Sequence, residues 1–233
     1  VAHVQEAAQD SKWRQLFVGA PTGTSLATIT SDYIAATNNA AVALCGQEVQ
    51  IFDTSGRKVW RDPSWAALFC AAMTAGGPTT GTPITNKAPS ILDFRAVWAE
   101  TSLKDMIAAS VLGFRRNQLG APIVARGVTT YQLTTNDALQ EASAVDSTFA
   151  SARGLTAELD AQIGDEIVLG KRKLVEDMAK AILQEQVNSG IIAAFRNVSA
   201  QLVGGTIAIT YEVAPKTPLN FITFTANLYR LTN

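Results

Sequence analysis

Two rhythms of apolar and polar positions run through the first half of the chain. Trp13–Gly19 (WRQLFVG) is a short apolar run of the kind that forms a buried strand. Ala20–Ser25 (APTGTS) turns the chain, and Leu26, Ile29, Tyr33 and Thr37 then fall at helical spacing, predicting a helix over Leu26–Thr37. Ala40–Phe52 is a second apolar strand region, turned by Asp53–Arg57 (DTSGR). Pro63 sits where a first helical turn accepts proline, because that position needs no intrahelical N–H. The helix after it, Ser64–Ala75 (SWAALFCAAMTA), is apolar almost all round, so it is expected to be buried on most sides. Val1–Ser11, which has few breakers, reads as the end of a helix.

Gly76–Pro89 is rich in Gly, Pro and Thr and is expected to be a loop. Asp93–Ala99 predicts a strand and Ser102–Leu112 a helix. Ala121–Leu133 (APIVARGVTTYQL) predicts a strand interrupted at Gly127. Over Asn136–Ile163 the residues Leu139, Ala142, Val145, Phe149, Ala152, Leu155, Leu159 and Ile163 recur at three- and four-residue steps, predicting one long amphipathic helix with a weak point at Gly154. Lys173–Asn188 predicts a second, with Gly190 as its C-terminal cap. Strands are predicted at Thr206–Ala214 and Phe221–Arg230, separated by Pro215–Pro218 (PKTP). In Phe221–Arg230 the residues Ile222, Phe224, Ala226 and Leu228 alternate with Thr223, Thr225, Asn227 and Tyr229, giving a two-faced strand. It is either the last strand of its own sheet or an arm able to pair with another chain.

Strands alternating with helices, then a helix pair and a strand pair, make the fold class α+β (mixed α/β), with a mixed sheet flanked by helices. The expected division is a core region over 1–120 and a C-terminal domain over 121–233. The chain begins with Val1, not Met, which reads as a fragment with something upstream.

Composition narrows the chemistry. Hydrophobic residues make up 47% and charged residues 17% of the 233, which favours burial of surface against other chains. The net charge of −1 argues against a duplex nucleic acid as partner, which would call for a basic face. No apolar run reaches the ~20 residues of a membrane helix, and no secretory signal pattern is visible. Cys45 and Cys70 lie in apolar surroundings and read as two buried thiols. His3, the one histidine, stands at a chain end where a general base is hard to hold. No Cys/His cluster suggests zinc. Gly164–Arg172 (GDEIVLGKR) has five residues between its glycines where a phosphate loop has four, and Arg172 stands in place of the hydroxyl that would bind magnesium. Phe17–Ser25 could cradle an anion but lacks a dinucleotide fingerprint and reads as a plain strand-to-helix turn. Asn197–Ser199 (NVS) matches a glycosylation acceptor only by its letters. The expectation is no enzyme, no cofactor and no metal.

Several stretches, in this order, resemble the tail sheath proteins of contractile phage tails and related injection systems. Trp13–Pro21 resembles the family's short strand after its first helix. Ser64–Ala75 with the following loop and Pro83–Lys87 (PITNK) resembles its small-residue helix and a loop ending in Thr-Asn-Lys. Arg126 with Gly127–Thr130 (GVTT) resembles its Arg-Gly-Ile/Val-Thr-Thr strand. Phe149–Gly170 with Lys171 resembles its long helix ending at a Gly-Lys turn, and Ser189–Ile192 (SGII) with the final strand pair resembles its last part. The resemblance covers nearly the whole chain. It departs at Ser143–Asp146 (SAVD), where the family usually carries an Arg-Leu/Ile-Asp-like stretch, and the family's N-terminal linking arm lies outside this chain or is absent.

The resemblance implies a structural subunit of the virion tail, assembled in the host cytoplasm. Such subunits polymerise as six-start helices of hexameric rings around an inner tail tube protein, bounded by baseplate and tail terminator proteins. They contract to drive the tube through the host envelope, without nucleotide, nucleic-acid partner or membrane insertion. It implies that Phe221, Ile222, Thr223, Phe224, Thr225, Ala226, Asn227, Leu228, Tyr229 and Arg230 add as a strand to a neighbouring subunit. It also implies that Lys171, Arg172 and Lys173 face the inner tube; they form the densest basic cluster and sit at a helix N-terminus, where positive charge opposes the helix dipole. The competing readings are another virion tail component and a small-molecule enzyme of α/β fold.

Overall fold

The structure, a computed structural model, describes residues 6, 13–95, 100–132, 136–163 and 170–216, without the side chains of 100–102. The expected helix end over residues 1–11 (Glu6 alone being described), the Ala96–Ala99 part of an expected strand, and Phe221–Arg230 lie outside the described residues.

The centre of the first half is a parallel pair, β1 (Leu16–Gly19) against β2 (Val42–Cys45), joined by a helical crossover α1 over 26–37. All four residues of β2 are buried, as its continuous VALC run requires. Its side chains alternate between two cores. Ala43 and Cys45 join Val49, Ala66, Cys70, Leu112, Phe114 and Val124. Leu44 joins Ala20, Ile29, Ile34, Met106 and Val111 on the other face. The second edge of β2 is closed by Leu112, whose N–H donates to Leu44 O at 2.9 Å, and by Thr130, whose N–H donates to Val42 O at 2.7 Å.

The crossover departs from the sequence expectation in its winding. Ile29–Ile34 is a π-helical segment between α-helical Leu26–Thr28 and Ala35–Thr37. Five-residue spacing brings Ile29 and Ile34 to one face, and both are fully buried, while Tyr33 is only partly so. Ser25 caps the start, its Oγ accepting from Thr28 N at 3.1 Å. Ser25 thus satisfies one of the orphan donors at this helix start.

β3 (Val49–Phe52) pairs antiparallel with β4 (Lys58–Arg61) and with the short β5 (Asp93–Phe94). Asp53 holds the β3–β4 turn, its Oδ1 accepting from Ser55 N at 2.8 Å and Arg57 N at 2.9 Å. α2 (Pro63–Ala75) starts with Pro63 in its first turn and Asp62 accepting from Ser64 N at 2.9 Å. Its burial corrects the sequence expectation. Pro63, Ala66, Ala67 and Cys70 are buried and Phe69 and Met73 half-buried against the first core, whereas Trp65, Leu68 and Ala72 are exposed. Cys45 and Cys70 are both fully buried and adjacent; the Cys70 thiol and burial push the Cys45 thiol well above its ordinary range.

After α3 (Glu100–Ala108), β6 (Gly113–Arg116) pairs antiparallel with β7 (Pro122–Arg126). The loop motif and the strand motif that carry the family resemblance meet here. Asn86 N donates to Val124 O at 2.8 Å, Val124 N to Lys87 O at 2.9 Å, and Gly127 N to Thr85 Oγ1 at 3.0 Å. Thr129 Oγ1 donates to Leu139 O at 2.6 Å and Thr130 Oγ1 to Asn39 O at 3.0 Å. The PITNK and GVTT stretches are therefore a structural junction, tying a loop, β7, β2 and the approach to the next helix.

That helix, α4 (Ala142–Leu159), is flanked by 3₁₀ turns at Asp137–Gln140 and Asp160–Gln162, so the predicted long helix is three segments. α5 (Lys171–Asn188) packs against it and ends in a Schellman motif: Gly190 N donates to Val187 O at 3.0 Å and Ile191 N to Gln186 O at 2.8 Å, with Gly190 at φ 70°. β8 (Ile192–Val203) and β9 (Thr206–Pro215) close the described chain as an antiparallel hairpin. The fold is α+β, its strands among the described residues shared between four small sheets.

Candidate assembly site

The hairpin and the helix pair beneath it are built as a unit. Gly204 and Gly205 both have positive φ, as a two-residue type I′ turn requires. Along β9, Ile207, Ile209, Tyr211 and Val213 are half-buried on the helix side, and Thr206, Ala208, Thr210, Glu212 and Ala214 are exposed. The β8 partner was not foreseen, because its alternation breaks. The register shifts between Ile192 and Ala194 and again between Arg196 and Ser199, where Asn197 takes φ 55°. Glu212 pins that bulge, accepting from Arg196 Nε at 2.6 Å and Asn197 Nδ2 at 2.9 Å. Among the described residues β8 and β9 pair only with each other, so each presents an outer edge without a strand.

A buried polar clamp joins the helices. Ser151 Oγ bonds to Gln186 Oε1 at 2.5 Å, and Gln186 Nε2 donates to Ser151 O at 3.1 Å. Gly154, a weak point by propensity, is where Gln186 needs room: a Cβ there would stand 2.9 Å from Nε2.

Lys171, Arg172 and Lys173 form the first turn of α5. Lys171 Nζ donates to Gln162 Oε1 at 2.8 Å, and Arg172 donates to Ala200 O at 3.0 Å. Lys173 bonds Asp177 at 2.8 Å and Glu176 at 3.2 Å. Acids opposite this cluster are thus supplied by the same helix, which answers the unfavourable dipole locally. Glu176 is the hub. It accepts from Lys180 at 2.6 Å and from Ala200 N on β8 at 3.3 Å, and Lys180, the Ala200 N–H and Lys173 hold its carboxyl down at about 2. Lowered in the folded state, it contributes stability that is present above its unfolded value near 4.5 and lost as pH falls through about 2. Acid titration followed by NMR is expected to show the Glu176 carboxyl still ionised at pH 3, and Glu176→Gln to flatten the loss of stability between pH 5 and 2.

The terminal strand Phe221–Arg230 lies outside the described residues, as does the 164–169 part of the glycine-lysine segment. Among the described residues no group of three or more His, Cys, Asp or Glu could hold a metal ion, and no helix is long and apolar enough to cross a membrane.

No family model matches the chain. It is 26% identical over 229 residues, 95% of its length, to the tail sheath protein of Bacillus phage SP01, of which it spans 39%. In fold it is similar to a chain of the anti-feeding prophage baseplate, with TM-score 0.73, 15% identity, 97% of this chain and 64% of that one. It is likewise similar to the sheath tail protein of Desulfitobacterium hafniense, with TM-score 0.66, 13% identity, 86% of this chain and 45% of that one. The chain spans less than two thirds of the length of each of these. In fold, and in sequence along nearly its whole length, it is similar to the contractile tail sheath proteins.

Proposed function

We propose that the chain is the lattice-forming part of a tail sheath subunit, a structural protein that polymerises helically around an inner tube and contracts to drive it through a host envelope. The observation that carries this reading is the sequence match to a tail sheath protein over 95% of the chain. The β8–β9 hairpin supports it: no described strand pairs with either outer edge, and while Arg172 and Glu176 take the Ala200 O and N–H on β8, the edge of β9 offers backbone donors and acceptors to an extended segment from a neighbour. Phe221–Arg230, following the PKTP linker, is the segment proposed to fill that role in the next subunit.

Negative-stain microscopy at high protein concentration is expected to show tubes or rings without any cofactor. Monodisperse monomers across salt and pH would sink the reading. Truncation after Leu219 is expected to abolish assembly while circular dichroism still reports a folded domain. Unfolding of the truncated chain would place the strand in its own core, and undiminished tubes would place the linkage elsewhere.

Lys171, Arg172 and Lys173 are proposed to face the tube. Changing all three to Glu is expected to weaken co-sedimentation with tube protein at low salt while sheath-only polymers persist. The effect of each exposed charge is small and screened by salt, but it is repeated at every subunit. Equal tube binding by mutant and parent removes the cluster from that interface.

A further inference from the structure

Deepening the polymer reading on which it rests, we propose that the free subunit covers its own open edge. In an unassembled copy Phe221–Arg230 folds back along the outer edge of β9. It seats Ile222, Phe224, Ala226 and Leu228 in the groove between α4 and the hairpin, and assembly then exchanges that strand into a neighbour.

The groove sets the chemistry of its occupant. It holds about 580 Å³ and is lined by Trp13, Leu155, Leu159, Ile163, Ile209 and Tyr211. Ile163 is 77% exposed. The lining includes one acid, Asp160, and one base, Lys171, whose Nζ already donates to Gln162. Such a groove suits an uncharged apolar strand face and penalises a charged one.

The edge beside it is open in the right phase. Ala200 on β8, which lies opposite Ile209, gives its C=O to Arg172 and its N–H to the Glu176 carboxylate. Ala200 and Ile209 are therefore a pair without mutual hydrogen bonds, and the N–H and C=O of Ile209 point away from β8. Those of Ile207, two residues earlier, do the same. The side chains of both residues line the groove. A strand bonded to their outward backbone groups lays every second side chain over that groove, because residues directly opposite share a face.

The sequence beyond Lys216 supplies such a strand at matching length and phase. β9 has 10 residues and runs away from the Gly204–Gly205 turn. Phe221–Arg230 is as long, and a strand that reverses after Pro215 runs antiparallel to β9, back toward the groove. A short connection over 216–219 sets Ile222 opposite Val213, Phe224 opposite Tyr211, Ala226 opposite Ile209 and Leu228 opposite Ile207, apolar on apolar throughout. Pro218 then takes the turn position that favours proline. Thr223, Thr225 and Asn227 fall on the exposed face of Glu212, Thr210 and Ala208. Slipping the register by one residue puts Phe224 and Leu228 in water. A strand tethered this closely has a high effective concentration at its own edge, so a lone copy closes on itself and only a crowded, aligned neighbour competes.

The test is hydrogen exchange of the full chain at concentrations where sedimentation velocity shows monomers. The Ile207 and Ile209 amides are expected to exchange about tenfold or more slowly than in the chain truncated after Leu219, at a rate unchanged by further dilution. Phe224→Asp with Leu228→Asp is expected to match the truncated chain, whereas Thr225→Asp with Asn227→Asp keeps the parent's slow exchange. Should the truncated chain lose its circular-dichroism spectrum, the two full-length aspartate variants carry the comparison alone. Parent-like exchange in the truncated chain or in the Phe224→Asp, Leu228→Asp variant overturns the proposal. So does equal sensitivity to aspartates on either face, and so does protection that fades on dilution, since a second copy then supplies the strand. Protected amides in a chain that never forms tubes or rings uphold the docked strand and sink the polymer reading instead.

Discussion

A single methyl group added at Gly19 is expected to be among the most damaging changes in the chain. β1 runs against the start of α2 so closely that a Cβ there would lie 2.2 Å from Ser64 N and 2.4 Å from Pro63 C. Both are backbone atoms, at a helix start held by Pro63 and the Asp62 cap, so no flexible side chain can give way. Relief requires moving the helix, and with it Ala66 and Cys70, away from Ala43 and Cys45 of β2, which opens the first core. Overpacking commonly costs about 1–3 kcal/mol, and this case is expected at or beyond the top of that range. Gly120→Ala, where a Cβ meets open space and only the positive φ resists, is the control and is expected to cost about 1 kcal/mol. Urea midpoints for the two variants decide the matter; near-equal midpoints would show that α2 can shift cheaply.

Removing Arg126 is expected to cost about 3 kcal/mol, because it takes the guanidinium away from a buried carboxylate. Glu141 is 6% exposed and receives the Arg126 Nε–H at 2.6 Å. The pair links the end of β7 to the residue just before α4, next to the Val128–Glu141 bridge. Arg126→Ala is expected to be far worse than the double change Arg126→Met with Glu141→Leu, which removes both desolvated charges together. Chemical denaturation of the single and double variants tests the ordering. A double variant as unstable as the single one would mean that packing around the aliphatic stems, and not the stranded charge, sets the cost.

Much of this architecture is legible in the sequence. The apolar run Ala40–Phe52 announced strand, though as one region where the structure has two strands, β2 and β3; Pro63 and Gly190 marked their helix ends; the stripe from Val145 to Leu155 announced α4. What escaped was written in tertiary contacts. β4, KVWR, has too little apolar alternation to declare itself, because one of its faces is uncovered. β8 was hidden by its bulges. The π segment of α1 moved the buried position from Tyr33 to Ile34, a shift that a 3.6-residue stripe cannot anticipate. α2 was read as buried on most sides, since composition tells how apolar a helix is, not how many neighbours reach it. The Glu176 hub joins residues from α5 and β8, so no linear spacing reveals it. The Lys171–Lys173 cluster is plain in sequence, but its intrahelical acids become partners only once the helix is wound.

Under the proposed polymer reading, the two bulges in β8 have a consequence for solubility before any lattice exists. A long flat hairpin with unpaired edges would recruit every extended chain it met, and newly made subunits at high concentration would clump indiscriminately. The register shifts at Ile192–Ala194 and Arg196–Ser199, with Asn197 turned through φ 55° and clasped by Glu212, coil the ribbon and interrupt the row of matching donors and acceptors. A generic strand then finds only a short stretch with which it is in phase. An incoming segment must carry a matching irregularity to zip along the whole edge. The bulges would thus work as a keyhole: they trade strength of pairing for discrimination, and they keep a sticky ribbon quiet until its cognate strand arrives.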